Sequence, residues 1–567
     1  MRNALFAATA LTLSLTGPAA VADATLDAAM LEMIQNPPVC GEAGAAEPTD
    51  PIASMVMVDG FGTGGFQIDT TNPQAQEWFN HGVKLRWAFE HSESVRAFRK
   101  AQLLDPSCSM CVWGEAWAIG PNLNGGGRDE ASLATALTQA KKARRLARRA
   151  TPLQRQMIDA LIQRYSGKTE SRSTRFARAM DRIVTAHPDD VTLAAITSDA
   201  WMLNDYDWWN DDGTAANPGI SRAMGLLEHA LQVNPNDPGA IHLYIHLTEW
   251  SDDPHKAIPY GERLAALAPG ASHLVHMPSH TFYRVGRYRD AMMSNVNAVA
   301  MDKRYDQLAR PAGGVQRMPL HGHNIHFGMG GALMSGGAEE GEKLADWFLS
   351  VYPEIPPAVV FRQAMAHNAY AIYGRFADQA KVAGLVEPDE SRPMLRISWR
   401  YARGEAAARR GDAAAVRAEA DAIKALREGM QPLPGRNGEM RDQFTEVTQR
   451  VLEGRAAMLE GNAEAAIAAF TRAAQVQAGE NGREGGDPPI IWYPTRRSLA
   501  AAMLMGGDAA GARAKILELI EDWPNDPYSY FVLAEAETAL GHAEAAAEAR
   551  RKSRIEWIGG AMELKLA

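Results

Sequence analysis

The sequence predicts an all-α fold, a right-handed superhelical solenoid built from helix–turn–helix repeats. After residue 70 the chain reads as apolar-periodic segments of about 12 to 18 residues, most of them ended by Pro or Gly. No alternating apolar–polar pattern typical of strands persists along the chain. Pairs of histidines recur at an interval of 34 residues, since 276 − 242 and 280 − 246 both equal 34. A fixed period of this size is the mark of a repeat array.

The turn residues identify the individual repeats. The segment GRYRDAMMSNVNAVAMD, which starts at Gly286, has the Gly-x-Tyr-x-x-Ala turn and the second helix of a tetratricopeptide repeat. Further second helices are HSESVRAFRKAQLLDPS, SRAMGLLEHALQVNPNDPGA and GNAEAAIAAFTRAAQV, and WPNDPYSYFVLAEAETALGHAEAAAEA is a nearly complete late copy. Because each repeat buries its apolar stripe only against its neighbours, we expect the repeats to stack in a continuous array.

Composition divides the chain into four segments. Residues 1–22 have the charged start, short apolar run and small-residue cleavage site of a signal peptide, and residues 23–70 form an N-terminal extension rich in Ala, Gly and Pro. Residues 71–390 are predicted to form a tetratricopeptide array that carries the C-x-x-C pair and the histidine clusters, and residues 391–567 to form C-terminal tetratricopeptide-like repeats. We therefore expect a periplasmic or secreted protein without a membrane span. A net charge of −10 over 567 residues does not favour nucleic acid as a partner.

The repeat register places histidines on one face of neighbouring helices. Counted back from the Gly-x-Tyr turn, His276 and His280 are the fifth and ninth residues of a first helix, and His242 and His246 hold the same positions one repeat earlier. A spacing of four puts two side chains on one helix face. First helices line the concave groove of such an array, so we expect a two-by-two patch of imidazoles there.

Other residues extend this patch. Glu249 follows His246 by three residues, His273 precedes His276 by three, and the segment PLHGHNIHF adds a third cluster. Imidazole is a favoured ligand of Cu, Zn, Fe and Ni, and three protein ligands leave a coordination position for water or substrate. The predicted metal ligands are His242, His246, Glu249, His273, His276, His280, His323 and His326.

Methionines crowd the same region and favour copper, with zinc or iron as the other metals considered. Thioether and imidazole together suit copper, whereas core filling is the alternative role for each methionine. For the histidines the alternative is a groove that binds an acidic peptide, or imidazoles paired with neighbouring carboxylates. The methionines are Met277, Met292, Met293, Met301, Met318, Met329 and Met334.

Cys108 and Cys111 form a C-x-x-C pair at the start of a predicted first helix. Val112 follows the second cysteine, where c-type haem attachment would need histidine. Two cysteines alone make an incomplete zinc site unless groove histidines complete it. A local disulfide, either structural or redox-active, is the favoured interpretation, with Cys40 as a candidate exchange partner.

Five ordered blocks resemble a group of exported bacterial tetratricopeptide-repeat proteins that has no established reaction. They read CSMCVWGEAWAIGPNLN, HLYIHLTEWS, PGASHLVHMPSHTFYRVGRYRDA, HNIHF and PPIIWYPTRRSL, and together span about residues 75 to 535. The resemblance implies that the histidines above and Glu249 are signature positions of the group. This chain has His321-Gly322 where the group has Tyr-Pro, which makes His321 the weakest member. The resemblance adds Trp492, Tyr493, Pro494 and Arg496.

Two classes of function fit these features. One is an exported metalloprotein, copper favoured, that acts as a metal-dependent enzyme (oxidoreductase first, hydrolase second) or as a metal carrier. Glu249 would then be a general base or an added ligand. The other is a peptide- or protein-binding scaffold without metal, with a small molecule, a peptide or a protein partner in the groove. The predicted substrate-binding residues are Arg284, Trp492, Tyr493 and Arg496.

Overall fold

The computed structural model describes residues 52–123, 129–168, 171–205, 207–210, 212–311, 313–357, 359–479 and 488–567. All of them belong to one compact unit, residues 44–567. The predicted signal peptide, Cys40 and most of the N-terminal extension lie outside the described residues. Within those residues no β-strand occurs, only an isolated bridge between Trp209 and Ala215.

Helices account for most of the described chain. The first group is α1 (Pro73–Trp87), α2 (His91–Leu104), α3 (Ser109–Ile119), α4 (Glu130–Leu146), α5 (Pro152–Tyr165), α6 (Arg172–Ala186), α7 (Val191–Met202), α8 (Pro218–Val233), α9 (Pro238–Thr248), α10 (Ile258–Leu267), α11 (Ser272–His276) and α12 (Pro278–Arg284). The second group is α13 (Tyr288–Ala309), α14 (His321–Ser335), α15 (Ala338–Val351), α16 (Val360–Arg375), α17 (Gln379–Ala383), α18 (Pro393–Arg410), α19 (Ala413–Glu428), α20 (Arg436–Leu459), α21 (Ala463–Gln477), α22 (Arg496–Met505), α23 (Ala509–Asp522), α24 (Pro527–Ala539) and α25 (Ala543–Lys552).

Packing between these helices is that of a tetratricopeptide array. Each helix packs on the next one along the chain, and alternate helices also touch, as in α1 on α3, α3 on α5, α16 on α18 and α18 on α20. Such contacts arise when the first helices of successive repeats lie side by side. They confirm the predicted all-α solenoid. No helix of the described residues is both long enough and apolar enough to cross a bilayer.

One packing relation recurs in three repeats. A glycine of the first helix faces a large apolar side chain sixteen positions later in the second helix. A Cβ atom on the glycine would come within 2.8, 2.7 and 2.5 Å of that side chain, respectively, so only glycine allows the two helices to approach this closely. The three pairs are Gly82–Phe98, Gly328–Leu344 and Gly454–Phe470.

The segment before α1 is anchored to the array although it contains no helix. Phe61 and Ile68 are buried in the same core as the N-terminal helices. The carbonyl of Gly60 accepts a hydrogen bond of 2.7 Å from the backbone N–H of Gly270. Residues 52–72 are therefore more firmly packed than the loosely structured lead-in that the composition predicts for residues 23–70.

The helix that carries His276 and His280 is interrupted between them. The repeat register predicts a single first helix that carries both histidines, but α11 ends at His276 and α12 begins at Pro278. Proline has no backbone N–H to donate within a helix. Met277 nevertheless keeps right-handed helical angles, so the two histidines still lie one turn apart on one face.

The last residues fold back onto earlier helices of the array, from α14 to α22. The guanidinium of Arg375 donates a hydrogen bond of 2.7 Å to the carbonyl of Leu566, and that of Arg455 donates one of 2.7 Å to Lys565. The N–H of Ile558 donates to the carbonyl of Ser335 at 2.8 Å. The face that α18, α20 and α22 would offer to a peptide is therefore contacted by the chain itself.

We expect Gly454→Ala to destabilise the protein by about 1–3 kcal/mol, because the new methyl group would lie 2.5 Å from the ring of Phe470. Gly225 is the matched control, since it lies within α8 and a Cβ there meets no atom within 4 Å. Gly225→Ala should leave the stability unchanged or raise it by about 0.5–1 kcal/mol. Urea denaturation of both variants checks this, and equal effects of the two substitutions would contradict the packing described.

Candidate metal centre

Six histidines from four helices meet in two groups of three. In each group, one ligand nitrogen from each ring lies within 4.8 Å of the other two. The closed triad consists of His242, His246 and His273, all buried. The open triad consists of His276, His280 and the half-buried His323. His242 and His246 are thus joined by His273 and not by His276, which rearranges the predicted two-by-two patch.

Hydrogen bonding leaves a lone-pair nitrogen on both His242 and His273 of the closed triad. The Nδ1–H of His242 donates to the carbonyl of Trp87 at 2.5 Å, which leaves its Nε2 as the lone-pair atom. That Nε2 and both ring nitrogens of His273 are buried, and no described residue forms a hydrogen bond with them. Burial lowers the pKa of His242 to about 3 and that of His273 well below its ordinary value. Both rings are therefore neutral at pH 7, the form that binds metal ions.

Phe89 covers the closed triad. Its ring centroid lies 4.3 Å from that of His242, 5.6 Å from His246 and 5.0 Å from His273. The backbone of Phe89 adopts a φ of +57°, a left-handed conformation normally taken by glycine after the end of a helix. This conformation costs a non-glycine residue about 1–2 kcal/mol. The chain accepts that cost at the point where an aromatic ring encloses three imidazoles.

The open triad holds two acceptor nitrogens face to face. The Nδ1–H of His276 donates to Asn295 Oδ1 at 2.6 Å, and the Nδ1–H of His280 donates to Glu249 Oε2 at 3.0 Å. Asn295 is held in this orientation because its Nδ2 donates to the carbonyl of Ala291 at 2.7 Å. The two Nε2 atoms of His276 and His280 are 2.8 Å apart. When both rings are neutral, two lone pairs at that distance repel each other, and either a proton shared between them or a metal ion beside them would relieve the repulsion.

An aromatic ring supports the open triad as well. The centroid of Phe327 lies 4.9 Å from His276, 4.6 Å from His280 and 5.0 Å from His323. The rings of His273 and His276 stack with centroids 5.3 Å apart, so the two triads are neighbours. Each triad is thus in contact with the ring of one phenylalanine.

A cavity of about 470 Å³ reaches both triads. His246 of the closed triad and His280 and His323 of the open triad line it, together with Glu249. A cavity of this size holds a small organic molecule. Its remaining lining residues are Trp208, Trp250, Pro319, Leu320, Val359, Phe361, Arg362 and Met365.

Two of the predicted ligands, Glu249 and His326, lie outside both triads. Glu249 accepts a hydrogen bond from His280 and lies outside both nitrogen groups, so it orients a histidine while also lining the cavity. His326 is buried on α14 outside both groups, with its ring centroid 6.4 Å from that of Phe361. His321, the weakest member of the resemblance, is held by Asp302 at 2.8 Å and by the indole N–H of Trp347 at 2.8 Å.

Arg284 is the predicted substrate residue that the structure brings to the histidines. Its guanidinium carbon lies 3.4 Å from the ring centroid of Trp250, and its Nη2 lies 3.8 Å from Glu249 Oε1. Arg496 pairs with Asp522 at 2.7 Å.

Trp492 and Tyr493 are buried in the C-terminal repeats. Arg497 lies over both rings, with its guanidinium carbon 5.4 Å and 4.5 Å from their centroids. Substrate binding by Trp492, Tyr493 and Arg496 stays a prediction.

The cysteine pair forms the predicted local disulfide. The sulfurs of Cys108 and Cys111 are at bonding distance, 2.12 Å, and both residues are fully buried at the start of α3. A redox-active disulfide must be reached by an attacking thiolate. Burial therefore favours a structural role for this disulfide over the redox-active role that the sequence left open.

Sequence reasoning missed the residues that support the histidines. Phe327 follows His323 by four positions, a spacing that could have placed both on one helix face. No sequence pattern points to Asn295 or to the carbonyl of Trp87, because their positions relative to the histidines depend on contacts between distant helices. The same is true of Phe89, whose left-handed backbone no local sequence pattern indicates.

Comparisons with known proteins add no assignment. No protein-family model matches the chain, and no curated protein matches its sequence. Among solved structures, the human IFIT1 dimer with m7Gppp-AAAA is 14% identical, with 86% of this chain and 90% of that chain covered and a TM-score of 0.29. Yeast Tom70 is 12% identical, with 85% and 90% covered and a TM-score of 0.28. The Cut9–Hcn1 assembly of APC/C is 11% identical, with 85% and 90% covered and a TM-score of 0.26. Scores this low carry no functional argument.

His367 allows a test of imidazole burial away from the triads. Its ring packs between Tyr401 and Phe444, and burial lowers its pKa to about 3. The unfolded chain, with a histidine pKa near 6.5, binds more protons than the folded chain between pH 3 and 6.5, so stability falls as the pH drops through that window. We expect His367→Phe to reduce the slope of the unfolding free energy against pH in this window by up to about 1.4 kcal/mol per pH unit.

Urea denaturation of metal-free protein at pH 4, 5, 6 and 7 measures this slope. Met394→Leu is the control, because Met394 belongs to the same apolar cluster as Phe444 but carries no titrating group. A slope equal to that of the unmodified chain in His367→Phe would contradict the stated burial effect.

Proposed function

We propose that this protein binds transition-metal ions in its two histidine triads and uses them as a metal-dependent enzyme or as a metal carrier. The observation that carries the proposal is the 2.8 Å separation of the Nε2 atoms of His276 and His280. Two nitrogens bound to one ion at about 2.0–2.1 Å and at angles of about 90–109° lie about 2.9–3.4 Å apart. The described separation is close to that range, and both Nδ1 atoms already donate elsewhere.

The closed triad supports the same proposal through its buried nitrogens. A buried polar atom without a hydrogen bond costs about 1–3 kcal/mol. Three such atoms, on His242 and His273, are among the described residues of this triad. One of the two His273 nitrogens carries hydrogen in the neutral ring, so the three atoms include two lone pairs, one on each histidine. A metal ion would use these two lone pairs, whereas histidines kept only for packing would gain nothing from them. The hydrogen bonds to Trp87 and Asn295 orient the rings as outer partners commonly do in metal sites.

Imidazole donors decide the class of metal. Sites made of imidazole suit Cu, Zn, Fe and Ni, and copper(II) binds such sites most strongly among the divalent ions of this series. Copper is therefore favoured, with zinc or iron next. Ligation by methionine sulfur stays a prediction. Met277 and Met329 are fully buried, and the Sδ of Met292 lies 4.0 Å from Ser335 Oγ.

Access to the ions favours chemistry over storage. His246, His280 and His323 line the 470 Å³ cavity, so an ion in either triad would be close to a molecule bound there. Three protein ligands leave a position for water or substrate, and a bound ion can polarise or oxidise what occupies it. Glu249 lines the same cavity and is the candidate proton acceptor. A carrier would use the same ligands and differ only in lacking turnover.

A scaffold without metal is the second candidate. Trp250, Val359 and Phe361 are 38%, 42% and 45% exposed around the cavity, as at surfaces that receive a ligand or a partner. Against it, the face of α18, α20 and α22 is contacted by the chain's own last residues. The scaffold would bind its partner equally well after treatment with a chelator.

Metal content distinguishes the two candidates. We expect untagged protein to bind two copper ions, and His242→Ala and His276→Ala each to bind one, because each variant removes one ligand from a different triad. His367→Phe is the control and should bind two. Elemental mass spectrometry with copper titration measures the stoichiometry. Absence of stoichiometric metal after incubation with Cu, Zn and Fe salts would put the scaffold first.

Asn295 tests whether the open triad is oriented for metal. Asn295→Leu removes the acceptor that fixes the His276 ring, and we expect the affinity of this triad to fall about 10- to 100-fold. Asn368→Leu is a matched control, because Asn368 is an equally buried asparagine on α16. Competition with a chelator of known affinity measures both variants. An unchanged affinity in Asn295→Leu would contradict this role.

A further inference from the structure

We infer that the cavity beside the triads binds a small organic anion with a flat apolar body, such as an aromatic carboxylate. This inference names the substrate class of the proposed metal centre and rests on the proposed function only for the reaction. His246, His280 and His323 of the triads line part of this cavity, but the groups proposed to hold the charge and the ring of the ligand lie outside the triads. They are one guanidinium and three large aromatic side chains, and the lining contains a single carboxylate.

Arg362 supplies the cationic end of the site. Among the lining residues it is the sole Lys or Arg, and no carboxylate of the described residues forms an ion pair with it. Its guanidinium carbon lies 4.1 Å from the ring centroid of Tyr352, which holds the group in place by a cation–π contact. A guanidinium that is fixed, half-buried and without a carboxylate partner is suited to bind a carboxylate or phosphate through paired hydrogen bonds.

The carboxylate that lines the cavity already has hydrogen-bond and ion-pair partners. Glu249 is the sole carboxylate among the lining residues, and it accepts the hydrogen bond of His280 and lies 3.8 Å from Arg284. Arg284, beside the lining, offsets the charge of Glu249, so Arg362 is the one positive charge in excess among these three groups, and any metal ion in the triads would add to it. A site of this sign favours an anion and disfavours an amine.

Aromatic side chains provide the apolar part of the site. Trp208, Trp250 and Phe361 line the cavity, and Trp250 and Phe361 keep 38% and 45% of their surface exposed. Large aromatic rings left exposed around a concave site are typical of ligand pockets. Their flat faces suit an aromatic ring, and the cavity volume of about 470 Å³ limits the ligand to a small molecule.

Calorimetric titration with benzoate, acetate and benzyl alcohol tests the inference. The titrations use the full chain, once after dialysis against a chelator and once after loading with copper. We expect benzoate to bind more tightly than acetate, which lacks the ring, and than benzyl alcohol, which lacks the charge. Because the first series contains no metal, its result does not depend on whether the triads bind copper. Failure of the metal proposal and failure of this inference are therefore separable.

Arg362→Met keeps the apolar stem and removes the charge. This substitution should weaken the binding of benzoate about ten- to a hundredfold and leave the binding of benzyl alcohol unchanged. Phe361→Ala should weaken the binding of benzoate although Arg362 is unchanged. Arg148→Met is the control, because Arg148 is exposed on another part of the chain, and it should not change the affinity for benzoate. Thermal melts verify that each variant is folded.

Three results would overturn the inference. The first is benzoate binding no tighter than benzyl alcohol in the unmodified chain. The second is unchanged benzoate affinity in folded Arg362→Met in both the metal-free and the copper-loaded state. The third is an acidic peptide that ends in Phe binding more than tenfold tighter than benzoate, which would assign the cavity to a peptide partner.

Discussion

The hydrogen bond from His242 to the carbonyl of Trp87 is the contact on which the site depends. It joins two residues 155 positions apart in the chain, the last residue of α1 and the middle of α9. The last carbonyls of a helix have no partner within the helix, so α1 offers an acceptor that an imidazole can use. This bond selects the tautomer of His242. It also brings Phe89, two residues beyond Trp87, onto the closed triad, so the end of one helix both orients the histidines and covers them.

Burying so much imidazole is energetically unfavourable for the protein alone. His242 and His273 have lost water without gaining hydrogen bonds at three nitrogens, and Phe89 adopts a strained backbone to enclose them. Folded proteins retain only a small excess of stability, so such costs persist where they serve a ligand or a reaction. The arrangement also explains why the array begins with firmly packed residues. Phe61 and Ile68 hold the segment that leads into α1, and α1 in turn presents Trp87 and Phe89.

The fold and the six triad histidines could be predicted from the sequence, but not how the histidines group. A 34-residue interval and a spacing of four placed His242 with His246 and His276 with His280, because both rules are local to the repeat. His273 and His323 were also predicted as ligands, but the triad that each one joins could not be assigned, since they reach their partners through contacts between different repeats. His326 shows the limit of the helical rule. It shares α14 with His323 but lies outside both groups of ligand nitrogens.

Enclosure by Phe89 has a consequence for the order in which the two triads would take up metal ions. His242 and His273 are at most 1% exposed, and only His246 of that triad borders the cavity. An ion in the closed triad would reach the cavity only past His246, whereas His280 and His323 both line the cavity beside the open triad. The closed triad would therefore fill and empty more slowly than the open triad. Copper added to metal-free protein would then bind in two phases, with the open triad filled first.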